Sequence, residues 1–292
     1  MHRAIGIFAA EHIAAARVAE GEVEGEIHRF GEQGELAELP AEDLAREFRR
    51  MAELALEAGV QALGIALPGL IREGVIHESP NLSQMKGFPL RDAMARLLQE
   101  NAIALPVTVL NDAAAVAAGI AATRGELDRV VRVWYLGDGI GFGRYPSAEG
   151  ASEGGHMVVT LDPNERYCPC GGRGHLESIM GHRAMRKRFL DLEPEEVFAL
   201  AREGDPRCRD FVRLWHRALA AAHATSIHMD GPGRFYLTGP NARFVDLELL
   251  SDNLDQMVTM SALRGNTFDV VPRNDEIAVI GAAVAARQAA GA

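Results

Sequence analysis

Glu153-Gly154-Gly155-His156 is followed, after eleven residues, by Cys168-Pro169-Cys170-Gly171-Gly172-Arg173-Gly174-His175-Leu176-Glu177. Two thiols and two imidazoles thus fall within a window of twenty residues. His156, Cys168, Cys170 and His175 are the borderline and soft donors that a tetrahedral zinc ion takes, and the glycines let the backbone curl around it. The alternative is a pair of ordinary buried cysteines beside unrelated histidines. Only one residue separates Cys168 from Cys170, so a bridge between them would be badly strained, and with Cys208 as the third cysteine there is no disulfide framework. A reducing compartment is the expectation.

Three other segments carry polar groups where chemistry is done. Asn111-Asp112 closes the apolar run Val107-Thr108-Val109-Leu110 and opens an alanine-rich helical stretch through Ala122. On residue type alone, Asp112 reads as the N-cap of that helix. Gly137-Asp138-Gly139-Ile140-Gly141-Phe142-Gly143 reads as a tight Asp-Gly hairpin turn. Gly239-Pro240-Asn241 reads as a strand-to-helix turn, with Asn241 as cap.

The elements that must position these residues come in two similar series. Strands are expected at Ala4 to Phe8, Ile13 to Val18 and Val23 to Phe30, as an antiparallel meander. A helix from Pro40 to Ala58 stops at Gly59, a strand runs from Ala62 to Leu67 into Pro68-Gly69, and a short hairpin and loop span Ile71 to Asn81. A helix at Leu90 to Gln99 and the strand at Val107 to Leu110 complete the first series. The second opens with another meander at Val130 to Tyr145 and a nearly all-helical stretch from 175 to 230. Strand Phe235 to Thr238, helix 246 to 263, strand Phe268 to Val271 and a small-residue helix from Ile277 to Gln288 finish the chain. Strands then helices, repeated, argue for two related α/β domains with a ligand cleft between them.

With 292 residues and 48% hydrophobic content, the chain can bury two cores. No stretch approaches 18 apolar residues and Met1 to Ile7 has no signal-peptide layout, so a soluble cytoplasmic protein is expected. A net charge of -11 disfavours nucleic acid and anionic membranes as partners. The dense basic run, Arg183 to Arg188, reads as a solvated helix face.

Glu-x-Gly-His followed by Cys-x-Cys-Gly-x-x-Gly-Cys-x-Glu is the signature of ROK proteins, which are sugar kinases and sugar-responsive repressors, and this chain resembles them. It matches at Glu153, Gly155, His156, Cys168, Cys170, Gly171, Gly174 and Glu177, with His175 in place of the third cysteine. That exchange turns a net -1 site into a neutral Cys2His2 site that still suits zinc.

The resemblance implies a two-domain actin/hexokinase-like (ribonuclease H-like) fold with an interdomain cleft, residues 1–111 plus 275–292 forming one domain and 112–274 the other. It implies a structural zinc that pins the loop, so that Glu153, His156 and Glu177 hydrogen-bond sugar hydroxyls together with Asn111. It also makes Asp112 the base that takes the hydroxyl proton during phosphoryl transfer from ATP, a contribution of about 100- to 10,000-fold for a well-placed group. Pro80-Asn81-Leu82 resembles the family's sugar-side loop.

The nucleotide side departs from the pattern. The family's first phosphate hairpin, Asp-x-Gly-Gly-Thr, stands here as Phe8-Ala9-Ala10-Glu11-His12, which puts the Glu11 carboxylate where phosphate is expected. The second keeps Gly137, Gly139 and Gly141 but carries Asp138 for a hydroxyl residue. Two readings follow: an ATP- and Mg2+-dependent kinase of a hexose or N-acetylhexosamine, or a pseudokinase that binds sugar alone. The repressor branch carries a helix-turn-helix segment ahead of a first strand like this one, which sets that branch aside. The family implies a homodimer or homotetramer.

Overall fold

The computed structural model describes residues 3–31, 34–79, 81–147, 152–272 and 274–291. Pro80 of the Pro80-Asn81-Leu82 segment lies outside them. The chain opens with β1 (Arg3–Ala9), β2 (Ile13–Ala19) and β3 (Glu22–Phe30). Helices α1 (Glu35–Glu38) and α2 (Ala41–Ala55) precede β4 (Val60–Leu67), the short pair β5 (Leu70–Arg72) and β6 (Val75–Glu78), and α3 (Leu90–Glu100). Strand β7 (Val107–Asn111) runs directly into α4 (Asp112–Thr123), and β8 (Val131–Leu136) and β9 (Ile140–Tyr145) follow. A long connection leads to α5 (Leu176–Met180), α6 (His182–Arg188), α7 (Pro194–Glu203) and α8 (Pro206–Asp230). Strand β10 (Arg234–Thr238), α9 (Leu247–Met257), β11 (Thr267–Val270) and α10 (Asp275–Ala289) end it.

Two compact units emerge: unit 1 is Met1–Val131, Gly143–Ala151 and Asn274–Ala292, and unit 2 is Arg132–Phe142 and Ser152–Arg273. In unit 1 the sheet order is β3-β2-β1-β4-β7, with β1 antiparallel to β2 and parallel to β4, and β4 parallel to β7. The two-residue period of a strand sorts the side chains of β1 and β4. Ile5, Ile7, Leu63 and Ile65 pack with Leu44, Phe48 and Met51 of α2, whereas Ala4, Ala62 and Ala66 pack with Val279, Ala282 and Ala283 of α10. Small residues bring α10 against its neighbours: a Cβ on Gly281 would stand 1.7 Å from the carbonyl oxygen of Ala115. Helix α2 ends at Ala55 rather than at Gly59, because Leu56 already turns extended; Gly59, at φ +91°, sits in the turn before β4.

In unit 2 the sheet order is β11-β10-β8-β9, and Trp134, Leu136, Phe235 and Leu237 from its strands meet Trp215 and Leu219 of α8 in the core. The second strand series is a two-strand hairpin rather than a meander. The helical stretch after 175 divides into four helices, with Pro194 and Pro206 opening α7 and α8 where the missing N–H is not needed. The helix expected over 246–263 stops at Met257, and Ser261–Leu263 forms a separate 3-10 turn. Among the described residues no helix is long and apolar enough to cross a membrane.

Candidate functional site

The donor atoms of His156, Cys168, Cys170 and His175 all lie within 4.8 Å of one another. The Cys168 and Cys170 sulfurs are 3.3 Å apart, Cys170 Sγ is 3.3 Å from His175 Nδ1, and the His156 and His175 rings stack with centroids 5.2 Å apart. A tetrahedral zinc site with bonds of about 2.0 to 2.3 Å spaces its donors about 3.3 to 3.8 Å apart, so the cluster could hold such an ion with little movement.

The backbone around the cluster is cross-tied. Leu176 N–H donates to Met157 O at 2.9 Å, Val159 N–H to Gly174 O at 2.8 Å, and Gly174 N–H to Glu165 O at 2.7 Å. Arg188 pairs with the buried Glu165 and lies over the Tyr167 ring, so the run Arg183 to Arg188 is not one solvated face. Burial, with Cys170 and Glu177 alongside, pushes the Cys168 thiol up to about 12, and burial together with His156 lowers the His175 imidazole. A divalent cation among these donors would reverse the preference of the thiol for its proton. Gly172 supplies room: a Cβ there would sit 2.1 Å from His175 Cε1, so the larger imidazole fits because position 172 has no side chain.

Glu177, two residues beyond His175, reaches from the loop to the β8–β9 turn. Its Oε2 accepts the Ile140 N–H at 2.9 Å, and its Oε1 lies 3.6 Å from Cys168 Sγ. The turn itself is closed by Gly137 N–H donating to Gly139 O at 3.1 Å. From the other side, His182 N–H donates to Gly137 O at 2.9 Å and the fully buried Asn241 donates to the same oxygen from Nδ2 at 3.2 Å. Asn241 Oδ1 meets His182 Nδ1 at 3.2 Å. Asn241 is therefore a brace for the turn, and the cap of the following helix is Asp246. Asp138 pairs with Arg183 at 3.2 Å, which offsets the negative charge the turn carries. Glu153 and Glu177 differ in setting, the first exposed and the second half-buried. Elsewhere in unit 2 a hollow of about 210 Å³ at the end of α9, lined by Ser251, Asp255, Arg264 and Asn266, contains none of the candidate residues.

The other candidates belong to unit 1. Asn111, not Asp112, caps α4: its Oδ1 accepts from Ala113 N at 2.9 Å and Ala114 N at 3.3 Å. Its Nδ2 donates to Gly69 O at 3.0 Å, a bond that the register of Asn111 opposite Leu67 makes possible. With both ends engaged, Asn111 keeps one amide N–H for a ligand. Asp112 Oδ1 shares the Ala113 N–H at 2.9 Å. In the β1–β2 turn, Ala10 N–H donates to His12 O at 3.1 Å, and His12 Nε2 meets Asp275 Oδ2 at 2.8 Å, with Arg29 Nε 3.5 Å from the same oxygen. Glu11 is exposed at the tip.

Sequence reasoning missed His182 and Gly172 as parts of the site, read Arg183 as solvated, and singled out Asn241 as a cap in a turn resembling the family's glycine-rich turn under the adenine rather than as a brace. Nothing local announces the bond from Asn241 to Gly137, 104 positions away. Gly172 is different, since a glycine three positions before an oversized ligand is a readable signal.

Residues 19–289 match the model of the ROK family. The chain is 31% identical to a glucokinase of Thermotoga maritima over 304 aligned positions, 89% of this chain and 90% of that one. It is 28% identical over 242 residues to a glucokinase of Pyrobaculum calidifontis, 78% of this chain and 77% of the other. A solved ROK hexokinase of Thermus thermophilus superposes with a TM-score of 0.81 at 25% identity, covering 99% of each chain. The fold is thus the expected two-domain α/β, actin/hexokinase-like one, and the chain belongs to the ROK family.

Proposed function

We propose that this protein is a sugar kinase that transfers a phosphoryl group from ATP to a hexose or N-acetylhexosamine hydroxyl. Asp112 takes the hydroxyl proton, and Asn111, Glu153, His156 and Glu177 hold neighbouring hydroxyls. The turn containing Gly137, Gly139 and Gly141 holds the donor's phosphates, whose charge Mg2+ shares. Zinc, held by His156, Cys168, Cys170 and His175, keeps the loop in one conformation and fixes the tautomer of His156, which aims its second ring nitrogen at substrate.

The observation that carries this reading is the division of labour at Asn111-Asp112. Asn111 is the cap that accepts both helix N–H groups, and the Asp112 carboxylate shares one of them, the Ala113 N–H, through Oδ1. A carboxylate at the first turn of α4, next to a strand end, supports the reading of Asp112 as the proton acceptor. Asp138 speaks against the kinase in sequence and much less in structure, since Arg183 pairs with it.

A specific observation favours a second reading, a sugar-binding pseudokinase. The β1–β2 turn carries Glu11 at its tip and ties His12 to Asp275, where the family's phosphate hairpin has glycines and threonine. Calorimetry with Mg-ATP and a coupled assay over hexoses and N-acetylhexosamines separates the two. Turnover that falls by about 100- to 10,000-fold in Asp112→Asn, with sugar affinity retained, is the kinase result. Sugar heat without ATP heat or turnover overturns the kinase and leaves the binding protein.

A further inference from the structure

We propose that Glu177 is a positioning residue, a strut through which the metal loop sets the conformation of the glycine turn, in addition to any contact it makes with sugar. The inference rests on the reading of that turn as the phosphate holder. His175 is a candidate metal ligand and stands at the N-cap position of α5, where its backbone carbonyl accepts the Ser178 N–H at 3.0 Å, so a metal held by its ring tethers the first turn of that helix. Glu177 lies in this turn, and its two oxygens divide between the two structures: Oε1 is 3.6 Å from Cys168 Sγ, and Oε2 accepts the Ile140 N–H at 2.9 Å.

Space was left for the carboxylate. A Cβ at position 139 would stand 2.8 Å from Oε2, so any residue but glycine there would push the strut away. Where α5 hands over to α6, His182 N–H holds Gly137 O at 2.9 Å, so the same short helical strip grips the turn at both of its ends. Loss of the metal frees His175, loosens α5, and releases Ile140. Metal binding thereby reaches the nucleotide side as well as the sugar side of the reaction.

Amide hydrogen exchange of the full-length protein tests this at Ile140 without reference to turnover. A hydrogen bond to a charged acceptor protects its amide by roughly 10- to 100-fold, which Glu177→Ala removes and Glu177→Gln, still an acceptor, largely restores. EDTA should speed exchange at Ile140 in the wild type and Zn2+ should reverse it, while EDTA adds nothing further at Ile140 in Glu177→Ala, because both changes cut the same link. General loosening would instead raise exchange through β10 and α8 together.

Unchanged Ile140 exchange in Glu177→Ala, or an EDTA effect of equal size in that variant and in the wild type, overturns the strut. A second measurement is the affinity for a non-hydrolysable ATP analogue with Mg2+ in the absence of sugar, expected to weaken about 10-fold in Glu177→Ala and to recover in Glu177→Gln. If the wild type binds no analogue but Ile140 exchange follows Glu177 and metal as described, the strut stands and the phosphate reading of the turn fails.

Discussion

The interiors of the two units are built from different materials. Among the described residues unit 1 buries Ser79 as its polar side chain, whereas unit 2 buries Arg132, Glu165, His216, His223 and Asn241 among others. Hydrocarbon packing suffices where a sheet is sandwiched between helices, since the strand and helix periods already decide which side chains meet. It cannot orient a stretch such as 152–175, where Gly154–His156 is the longest regular piece and the backbone must find its hydrogen-bond partners one at a time. Unit 2 therefore uses polar braces, of which Glu165 serves the metal loop and Asn241 the glycine turn. At the corresponding β1–β2 turn of unit 1, His12 meets Asp275, and Arg29 of β3 reaches the same carboxylate.

Acid exposes this difference most strongly. Burial drives His223 down to about 3 and lowers His216. Burial holds both rings neutral: it outweighs the bond from His223 Nδ1 to Leu219 O at 2.7 Å, which favours the cation, while His216 Nε2 accepts the Asp246 N–H at 2.9 Å, as only a neutral ring can. Below the ordinary histidine value near 6.5 the unfolded chain takes up protons that the folded one refuses, so stability falls as pH drops from there toward 3. His223 contributes a slope of about 1.4 kcal/mol per pH unit inside that window, and His216 adds to it in the same direction. Urea unfolding at pH 7 and pH 5 should show unit 2 losing the greater share, and His223→Leu should reduce the slope whatever it does to stability at pH 7. An unchanged slope would refute the role given to this ring.

Gly172→Ala attacks the metal loop at the point where the loop departs from its family. The new methyl would meet the His175 ring, and overpacking of this kind costs about 1 to 3 kcal/mol. Zinc content after dialysis should fall. Adding His175→Cys to Gly172→Ala should restore metal binding, because the smaller thiolate no longer needs the space. If the double variant is as poor as the single, Gly172 serves the backbone rather than the ligand.

These two sites differ in how far the sequence announces them. The metal ligands, the Asn111-Asp112 pair and the glycine turn lie in short windows whose residue types are restricted by chemistry, so spacing alone brings them forward. Strands β1, β4 and β7 and helices α2, α3 and α10 were legible because burial imposes a period. Boundaries are less so: the extended Leu56 caps α2 three residues before Gly59, the expected stop signal, and α9 ends at Met257 without any breaker. The bracing roles of Asn241 and His182 left no trace, because a hydrogen bond between distant segments constrains one residue at each end and no pattern around it.

Asn241→Ala asks how much such a brace contributes. It removes one of two donors to Gly137 O, in a buried setting, and the partner of the half-buried His182 Nδ1. A loss of about 1 to 3 kcal/mol in unfolding free energy is expected. Nucleotide affinity should fall with it if the turn binds phosphate, whereas sugar affinity should change little.

Arg183→Ala should do least to stability and most to sharpen the contrast between the two turns. Arg183 and Asp138 are both well exposed, at 64% and 62%, so their pairing in water is worth about 0 to 1 kcal/mol. Removing the guanidinium nevertheless leaves the Asp138 carboxylate uncompensated beside the Gly137–Gly143 turn. A like charge about 4 Å from a phosphate oxygen opposes binding by about 1 kcal/mol in high dielectric, close to a 5-fold loss. ATP should therefore bind about 5-fold more weakly to Arg183→Ala, with the midpoint of unfolding unmoved, and Asp138→Thr should bind it more tightly than the wild type. Equal affinity in all three proteins would mean that nucleotide, if it binds, does not approach this turn, and the burden of donor recognition would return to the β1–β2 turn, where Glu11 and His12 stand.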